Sequence, residues 1–161
     1  MIKKVTSVLF FVIIACSVYG QNLDESEAYF YLAEHNTHRQ IVGVPDVRWS
    51  DTLALEAQQQ ADIVAQNMYS TEIDNYYGVN LYRSTKEPTA KEVVSHWASE
   101  QKYFHGDTIT EKNLRIFGHY SQIIWKQTVS IGCAMAKTPG GTYIVVCLYN
   151  PKGNIIGQKA Y

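Results

Sequence analysis

Apolar residues cluster at 29–33 and recur at steps of three and four residues between 53 and 68, which is the spacing of an amphipathic helix. Ser26 can cap a first helix that runs towards Arg39, and the turn at residues 43–45 (GVP) ends it. A second helix opens at Ser50 or Asp51. Its apolar stripe consists of Leu53, Ala57, Ala61, Val64 and Met68. Each helix is expected to bury one face.

A third helix is predicted after Pro88, because Thr89 and Glu92 have the spacing of a capping box. Its apolar face consists of Val93, Val94 and Trp97. Residues 103–117 are rich in Gly, Asp, Thr and charged residues and show no clear period. We therefore expect a long loop at residues 103–117.

The last third of the chain predicts a β-hairpin, with alternating residues at 129–135, a turn at 138–141 and an apolar strand at 143–149. If the hairpin is antiparallel and centred on Gly140, Cys133 lies directly opposite Cys147. Directly opposed residues suit a disulfide, and closing this loop contributes roughly 3 kcal/mol in the chain-entropy description. A reactive or metal-binding thiol pair is the alternative, but no flanking histidine or second cysteine pair completes such a site. We therefore predict a Cys133–Cys147 disulfide.

The hairpin strand at residues 144–148 (IVVCL) is apolar at every position. A strand with one solvated face alternates, whereas an uninterrupted apolar strand is covered on both faces. Helices are therefore expected on both sides of the sheet.

The N-terminus predicts export. Lys3 and Lys4 precede an apolar run at residues 5–15 that is too short to span a bilayer. Cleavage after Gly20 places small residues at the recognition positions. We expect residues 1–20 to be a signal peptide and residues 21–161 to form a single secreted domain, in a compartment that favours disulfides.

The charge balance narrows the choice of partners. The chain has 14 Lys+Arg and 15 Asp+Glu, with a formal net charge of −1, and loss of the two leader lysines makes it more acidic. Nothing in this balance indicates nucleic-acid binding. No later apolar run is long enough for integral membrane association. Net acidity without a basic amphipathic helix also argues against direct membrane disruption.

Four separated stretches together resemble one known family. They are residues 35–58, which begin HNTHR, residues 118–128 (GHYSQIIWKQT), residues 144–155 (IVVCLYNPKGNI) and residues 157–161 (GQKAY). The chain resembles the CAP superfamily, also called SCP or PR-1-like, over essentially all of residues 21–161. The resemblance implies an α+β fold, a three-layer α-β-α sandwich with a central antiparallel sheet.

The resemblance also implies a cleft with two histidines and two glutamates that can hold zinc or magnesium. Glu100 and His119 match two of these positions. Val79 stands where a Gly-Glu-Asn-Leu motif carries its glutamate, and Tyr69 falls in the region of the remaining histidine. Because half of the ligands are missing, we expect a degenerate metal site and no cofactor, with zinc or magnesium as the alternative.

One alternative set of ligands uses His96. His96 and Glu100 are four residues apart and share a face if the third helix continues to Glu100. With His119 they could form a His/Glu/His metal site. The competing interpretation makes His96 an exposed helix residue, and Glu100 and His119 an ion pair that lines the cleft.

We predict that the protein is not an enzyme and acts by binding outside the cell. The resemblance implies a sterol, fatty acid or protein ligand, and residues 103–117 are the predicted lipid-contacting segment. The tyrosines at positions 69, 76, 77 and 82 could line an altered pocket. The alternative function is a metal-dependent hydrolase or protease that uses His96, Glu100 and His119. The sequence carries no signal for the oligomeric state.

Overall fold

The computed structural model describes residues 25–67 and 76–161, so the predicted signal peptide, Met68 and Tyr69 lie outside the described residues. In chain order the elements are α1 (Glu25–Ile41), β1 (Arg48–Trp49), α2 (Asp51–Gln66), β2 (Gly78–Ser84), α3 (Ala90–Ala98), a 3₁₀ helix (Ser99–Tyr103), α4 (Glu111–Ile123), β3 (Ser130–Lys137) and β4 (Tyr143–Asn150). In the described residues no helix has the length and apolar character that a membrane span requires.

The strands form one sheet in the order β1-β3-β4-β2. Strand β4 pairs antiparallel with both β2 and β3, which confirms the predicted antiparallel sheet. Strand β1 adds a two-residue parallel edge to β3 that the sequence analysis did not predict. In the hairpin register Cys133 faces Cys147, and the disulfide joins them across a Cα separation of 4.1 Å. The predicted register and disulfide are confirmed.

Helix α2 covers one face of the sheet with small side chains. Ala57 and Ala61 pack with Ala134 and Ala136 of β3 in this part of the core. At Gly132 a Cβ atom would collide with the backbone of α2 at Leu53 and Ala54. Glycine and alanine therefore let the helix approach the sheet closely.

Helices α1, α3 and α4 cover the opposite face with larger side chains. This part of the core includes Tyr31, Trp97, Phe117, Tyr120, Trp125 and Tyr149. Strand β4 lies between the two packed layers and is buried from Ile144 to Tyr149. The predicted three-layer α-β-α sandwich is confirmed.

The loop predicted at residues 103–117 is wrong in its second half, because α4 begins at Glu111. Thr110 and Asn113 form the capping box of this helix, with each side chain bonded to the other residue's backbone N–H. The box was missed since Asn113 stands where the usual pattern has Glu or Gln. The box predicted at Thr89 and Glu92 is present at the start of α3.

A kink divides α4. Phe117 leaves the helical conformation, with φ −138° and ψ 22°, and the helix resumes at Gly118. A helix that restarts presents backbone N–H groups without partners in the preceding turn. The kink therefore leaves the backbone N–H groups of His119 and Tyr120 without helical partners, so they can donate hydrogen bonds to another group.

Candidate functional site

The structure brings Glu100 and His119 together at this kink. Glu100 lies in the 3₁₀ helix that follows α3, and its Oε2 accepts hydrogen bonds from the backbone N–H groups of His119 (2.9 Å) and Tyr120 (3.1 Å). Its Oε1 lies 2.6 Å from Nδ1 of His119. An anion at a helix N-terminus is favourable because it meets unpaired N–H groups and the positive end of the helix dipole. The carboxylate therefore caps the second half of α4.

His119 is held in one orientation and remains partly open to solvent. A carboxylate only accepts, so Nδ1 carries the hydrogen and Nε2 of the neutral ring holds the lone pair. The imidazole stacks on Trp97 with ring centroids 6.2 Å apart and planes 11° apart. Its side chain is 42% exposed, and Nε2 has no hydrogen-bond partner in residues 25–67 or 76–161. This nitrogen is the atom of His119 that can accept a hydrogen bond from a ligand.

A buried hydrogen-bond chain fixes the backbone at His119. The Asn80 amide donates to the carbonyl of His119 (3.1 Å) and to the hydroxyl of Tyr149 (3.0 Å). That hydroxyl lies 2.8 Å from Nε2 of His35, whose Nδ1 lies 2.7 Å from the carbonyl of Tyr31. Because the carbonyl only accepts, Nδ1 donates and Tyr149 donates to Nε2. Every donor in the chain has an acceptor.

Burial keeps the side chains of this hydrogen-bond chain neutral. His35 is fully buried, and loss of solvation lowers its pKa to about 4. Burial also raises the pKa of the Tyr149 phenol well above its ordinary value. The motif that begins at His35 is therefore part of the core rather than an exposed reactive pair.

Arg39 is the charged member of the same motif. Its guanidinium donates to four backbone carbonyls at 2.7 to 3.1 Å, those of Pro45, Ile123, Trp125 and Thr128. Burial lowers its pKa to about 10, so the group stays cationic at neutral pH. Arg39 thus ties α1 to the end of α4 and to the loop before β3.

Val79 points away from the Glu100–His119 pair. It packs on the α2 side of the sheet, while its neighbour Asn80 points to the opposite side. Val79 also lines a groove of about 550 Å³ at the edge strand β2, together with Tyr77, Leu114, Ile155 and Ile156. Gln122, Lys152 and Asn154 line the same groove, so its wall mixes aliphatic and polar side chains.

The His96/Glu100/His119 set is not assembled. Helix α3 ends at Ala98 and continues as a 3₁₀ helix, so Glu100 does not keep the four-residue relation to His96 that an α-helix would give. The exposed ring of His96 contacts Tyr82 instead, with centroids 5.1 Å apart. Residues 25–67 and 76–161 contain no group of three or more His, Cys, Asp or Glu that could hold a metal ion.

Within residues 25–67 and 76–161, the Glu100–His119 pair does not fit zinc or magnesium. Both oxygens of Glu100 and Nδ1 of His119 are engaged with each other or with backbone N–H groups. Of this pair only Nε2 of His119 remains, whereas a stable zinc site uses three or four protein ligands. Ser121 does not form a dyad with His119, because its hydroxyl donates to Asn154 Oδ1 (2.6 Å).

Sequence reasoning missed Asn80 and the groove. Asn80 is a lone polar residue in a short strand, and its two partners are 39 and 69 positions away. The groove joins residues of β2, α4 and the segment after β4. Gly78 and Gly153 were the sequence feature that could have indicated close packing here, because a Cβ atom at either position would collide with the side chain of Gln122.

Comparison with known proteins places these features in a family. The family model for the cysteine-rich secretory protein family (CAP) matches residues 32–149. Pathogenesis-related protein 1C of Nicotiana tabacum is 37% identical over 158 residues, covering 98% of this chain and 92% of that protein. The pathogenesis-related protein PR-1 type of Sambucus nigra is 34% identical over 133 residues, covering 81% and 80%.

A solved structure shares the fold. The crystal structure of NaASP2 with Zn²⁺ superposes with a TM-score of 0.76 at 20% identity, covering 88% of this chain and 87% of that one. At this identity the likeness shows the fold alone, and the zinc is a feature of NaASP2. The family match and the identity to the plant relatives lead to one conclusion: the chain belongs to the CAP family of cysteine-rich secretory proteins.

Proposed function

We propose that the protein is an extracellular binding protein without enzymatic activity, and that its ligand is a sterol or a fatty acid held in the groove at the edge of β2. One observation carries the proposal: Val79, which the resemblance places at the family glutamate position, lines a groove of about 550 Å³ together with Leu114, Ile155 and Ile156. The predicted leader and the disulfide support an extracellular location.

The size of the groove suits a small lipid. Pockets that enclose a small-molecule ligand typically measure about 300–1,000 Å³. Leu114, Ile155 and Ile156 supply aliphatic surface for the ring system or chain of the lipid. Polar side chains share the wall, and the amide of Gln122 among them is already bonded to Thr128 and to the backbone N–H of Gly153.

The alternative of a metal-dependent hydrolase or protease finds no comparable support. It requires a metal-activated water or a base aligned with a nucleophile. Here Glu100 caps a helix, and the hydroxyl of Ser121 is bonded to Asn154. The structure therefore favours binding over catalysis.

Titration with a fluorescent sterol and, separately, a fluorescent fatty acid tests the proposal. Ile156 lines the groove and is 53% exposed, so Ile156→Glu introduces charge there without disturbing the core. We expect the affinity for the bound lipid to fall at least about ten-fold. The matched control is Leu55→Glu on α2, where leucine is 58% exposed and outside the groove. Equal affinity of both variants, or no binding of either lipid, would overturn the proposal in favour of a protein ligand.

A further inference from the structure

The charges are distributed unevenly along the chain. Residues 21–100 contain thirteen Asp or Glu and five Lys or Arg, whereas residues 101–161 contain seven Lys or Arg and only two Asp or Glu. The small net charge of the chain therefore conceals an acidic part and a basic part. Because salt screens charges beyond about 8–10 Å, a charged surface responds to the local arrangement rather than to the net charge.

Three segments of the basic part meet in the fold. The ring of Phe104, just after the 3₁₀ helix, contacts Phe117 of α4 at 5.2 Å and Tyr161 at 6.0 Å between centroids. The backbone before α4 pairs with the C-terminal segment, through Ile109 N–H to the Gln158 carbonyl (2.8 Å) and the bridge between Thr108 and Lys159. The 3₁₀ helix, α4 and the C-terminal segment are thus neighbours.

The outer surface of α4 presents two cations and an apolar residue. Lys112, Arg115 and Ile116 are all exposed, Ile116 to 45%. Their spacing of three and four residues places them on one side of the first half of α4. We call Lys112, Arg115, Ile116 and the adjoining exposed Lys102, Tyr103 and Lys159 the cationic face.

Apolar side chains are interleaved with these cations. Tyr103 is 51% exposed, with the Lys102 ammonium 4.9 Å from its ring centroid, and Tyr161 is 49% exposed nearby. Lysine, arginine and tyrosine beside exposed aliphatic residues are the composition of protein surfaces that rest at a lipid headgroup layer. A soluble polyanion would bind the cations without using the exposed Ile116 and Tyr103.

We propose that the cationic face docks the protein peripherally on bilayers that contain anionic lipid. Each Lys or Arg near such a surface tightens binding by about five-fold, and side chains such as Ile116 and Tyr103 reach the acyl boundary. Asp107 and Glu111 are the acidic residues of residues 101–161 and only partly offset the cations. Docking this way does not require the basic amphipathic helix whose absence argued against membrane disruption.

Docking is independent of the proposed ligand groove. Leu114 of α4 lines the groove, but residues two positions apart point to opposite sides of a helix, so Leu114 does not share the face of Lys112.

Vesicle sedimentation tests the docking. The purified protein is mixed with phosphatidylcholine vesicles, with or without about 30 mol% phosphatidylglycerol, at low salt and at about 0.5 M salt. We expect at least about 25-fold stronger partitioning onto the anionic vesicles, lost at high salt. The double variant Lys112→Glu/Arg115→Glu should lose at least about 25-fold. The matched control Lys86→Glu/Lys91→Glu, which changes the same charge at two exposed residues elsewhere, should stay within about two-fold.

A second variant separates a bilayer from a soluble polyanion. Ile116→Ser should weaken vesicle binding by about five-fold while leaving retention on heparin unchanged. The proposal is overturned if both charge variants bind vesicles equally, if anionic lipid makes no difference, or if the cationic face supports heparin binding alone. The sterol and fatty-acid titrations are repeated on Lys112→Glu/Arg115→Glu, which should keep wild-type affinity. Failure of docking with intact ligand binding rejects this inference alone, and the reverse result rejects the proposed function alone.

Discussion

Two histidines flank the same tryptophan and differ in nearly every other respect. His35 lies 6.4 Å and His119 6.2 Å from the Trp97 ring, measured between centroids. His35 is fully buried with both ring nitrogens hydrogen-bonded, whereas His119 is 42% exposed and anchored at Nδ1 alone. The residue type therefore says little about the role. The number of partners and the degree of burial separate the structural imidazole from the one that can meet a ligand.

The difference extends to the neighbouring charged groups. Arg39, one turn after His35, has its guanidinium enclosed among carbonyls, and Glu100 beside His119 is 21% exposed. The polar groups around His35 stabilise the fold, whereas those around His119 also orient a side chain that is accessible to solvent. The following predictions test how sharp that division is.

Arg39→Ala should have the largest effect. The substitution leaves four backbone carbonyls without their donor and opens a cavity in the core, so we expect the free energy of unfolding to fall by about 4 kcal/mol. Urea denaturation measures the loss. Arg48→Ala removes an exposed arginine and should change stability by less than about 0.5 kcal/mol. Similar losses in the two variants would contradict the structural role assigned to Arg39.

His35 should make stability dependent on pH. Its pKa is about 4 in the folded protein and 6.5 in the unfolded chain, so the unfolded state binds the proton first as the pH falls. The contribution is fully present above pH 6.5, declines as the pH falls towards about 4, and amounts to about 3 kcal/mol. Denaturation of the wild type and of His35→Gln between pH 7 and about 4 measures the difference. If His35→Gln keeps the full wild-type dependence of the free energy of unfolding on pH, other groups cause that dependence.

Glu100→Ala should destabilise the protein more than His119→Ala. The alanine at position 100 removes the cap of two backbone N–H groups, which costs about 2 kcal/mol, whereas the alanine at position 119 leaves that cap in place and costs roughly 0.5–1 kcal/mol. Glu100→Gln keeps an oxygen acceptor and should fall between them. Thermal unfolding of the three variants gives the order. A reversed order would mean that the side-chain pair, and not the cap, is the main role of the carboxylate.

The elements predictable from sequence are those with local signals. The capping box at Thr89, the spacing of α2 and the register of the hairpin each depend on residues close in the chain, and each is present. Strand β2 was not predicted, because Gly78, Asn80 and Arg83 interrupt its apolar alternation and it is specified by pairing with β4.

The site was predictable only as a pair of residues. The resemblance selected Glu100 and His119. The kink at Phe117 brings them together, and no local sequence pattern predicts that kink. The same limitation produced the rejected set with His96, since the change from α3 to a 3₁₀ helix at Ser99 depends on packing against α4. Periodicity describes regular helices, and the site is built where helices stop being regular.

Zinc titration by calorimetry should give the smallest effect and bears most directly on the comparison of the two histidines. With one accessible nitrogen at His119 and both oxygens of Glu100 engaged, we expect dissociation constants weaker than about 100 μM, that is, less than about 5.5 kcal/mol of binding free energy. His119→Ala should remove even that weak signal, and His96→Ala should leave it unchanged, because His96 contacts Tyr82. Stoichiometric binding below about 10 μM that is lost in both variants would mean that the cleft rearranges around the ion. In that case His119 would be a metal ligand despite its hydrogen bond to Glu100, and the division between a closed and an open histidine would hold only for the metal-free protein.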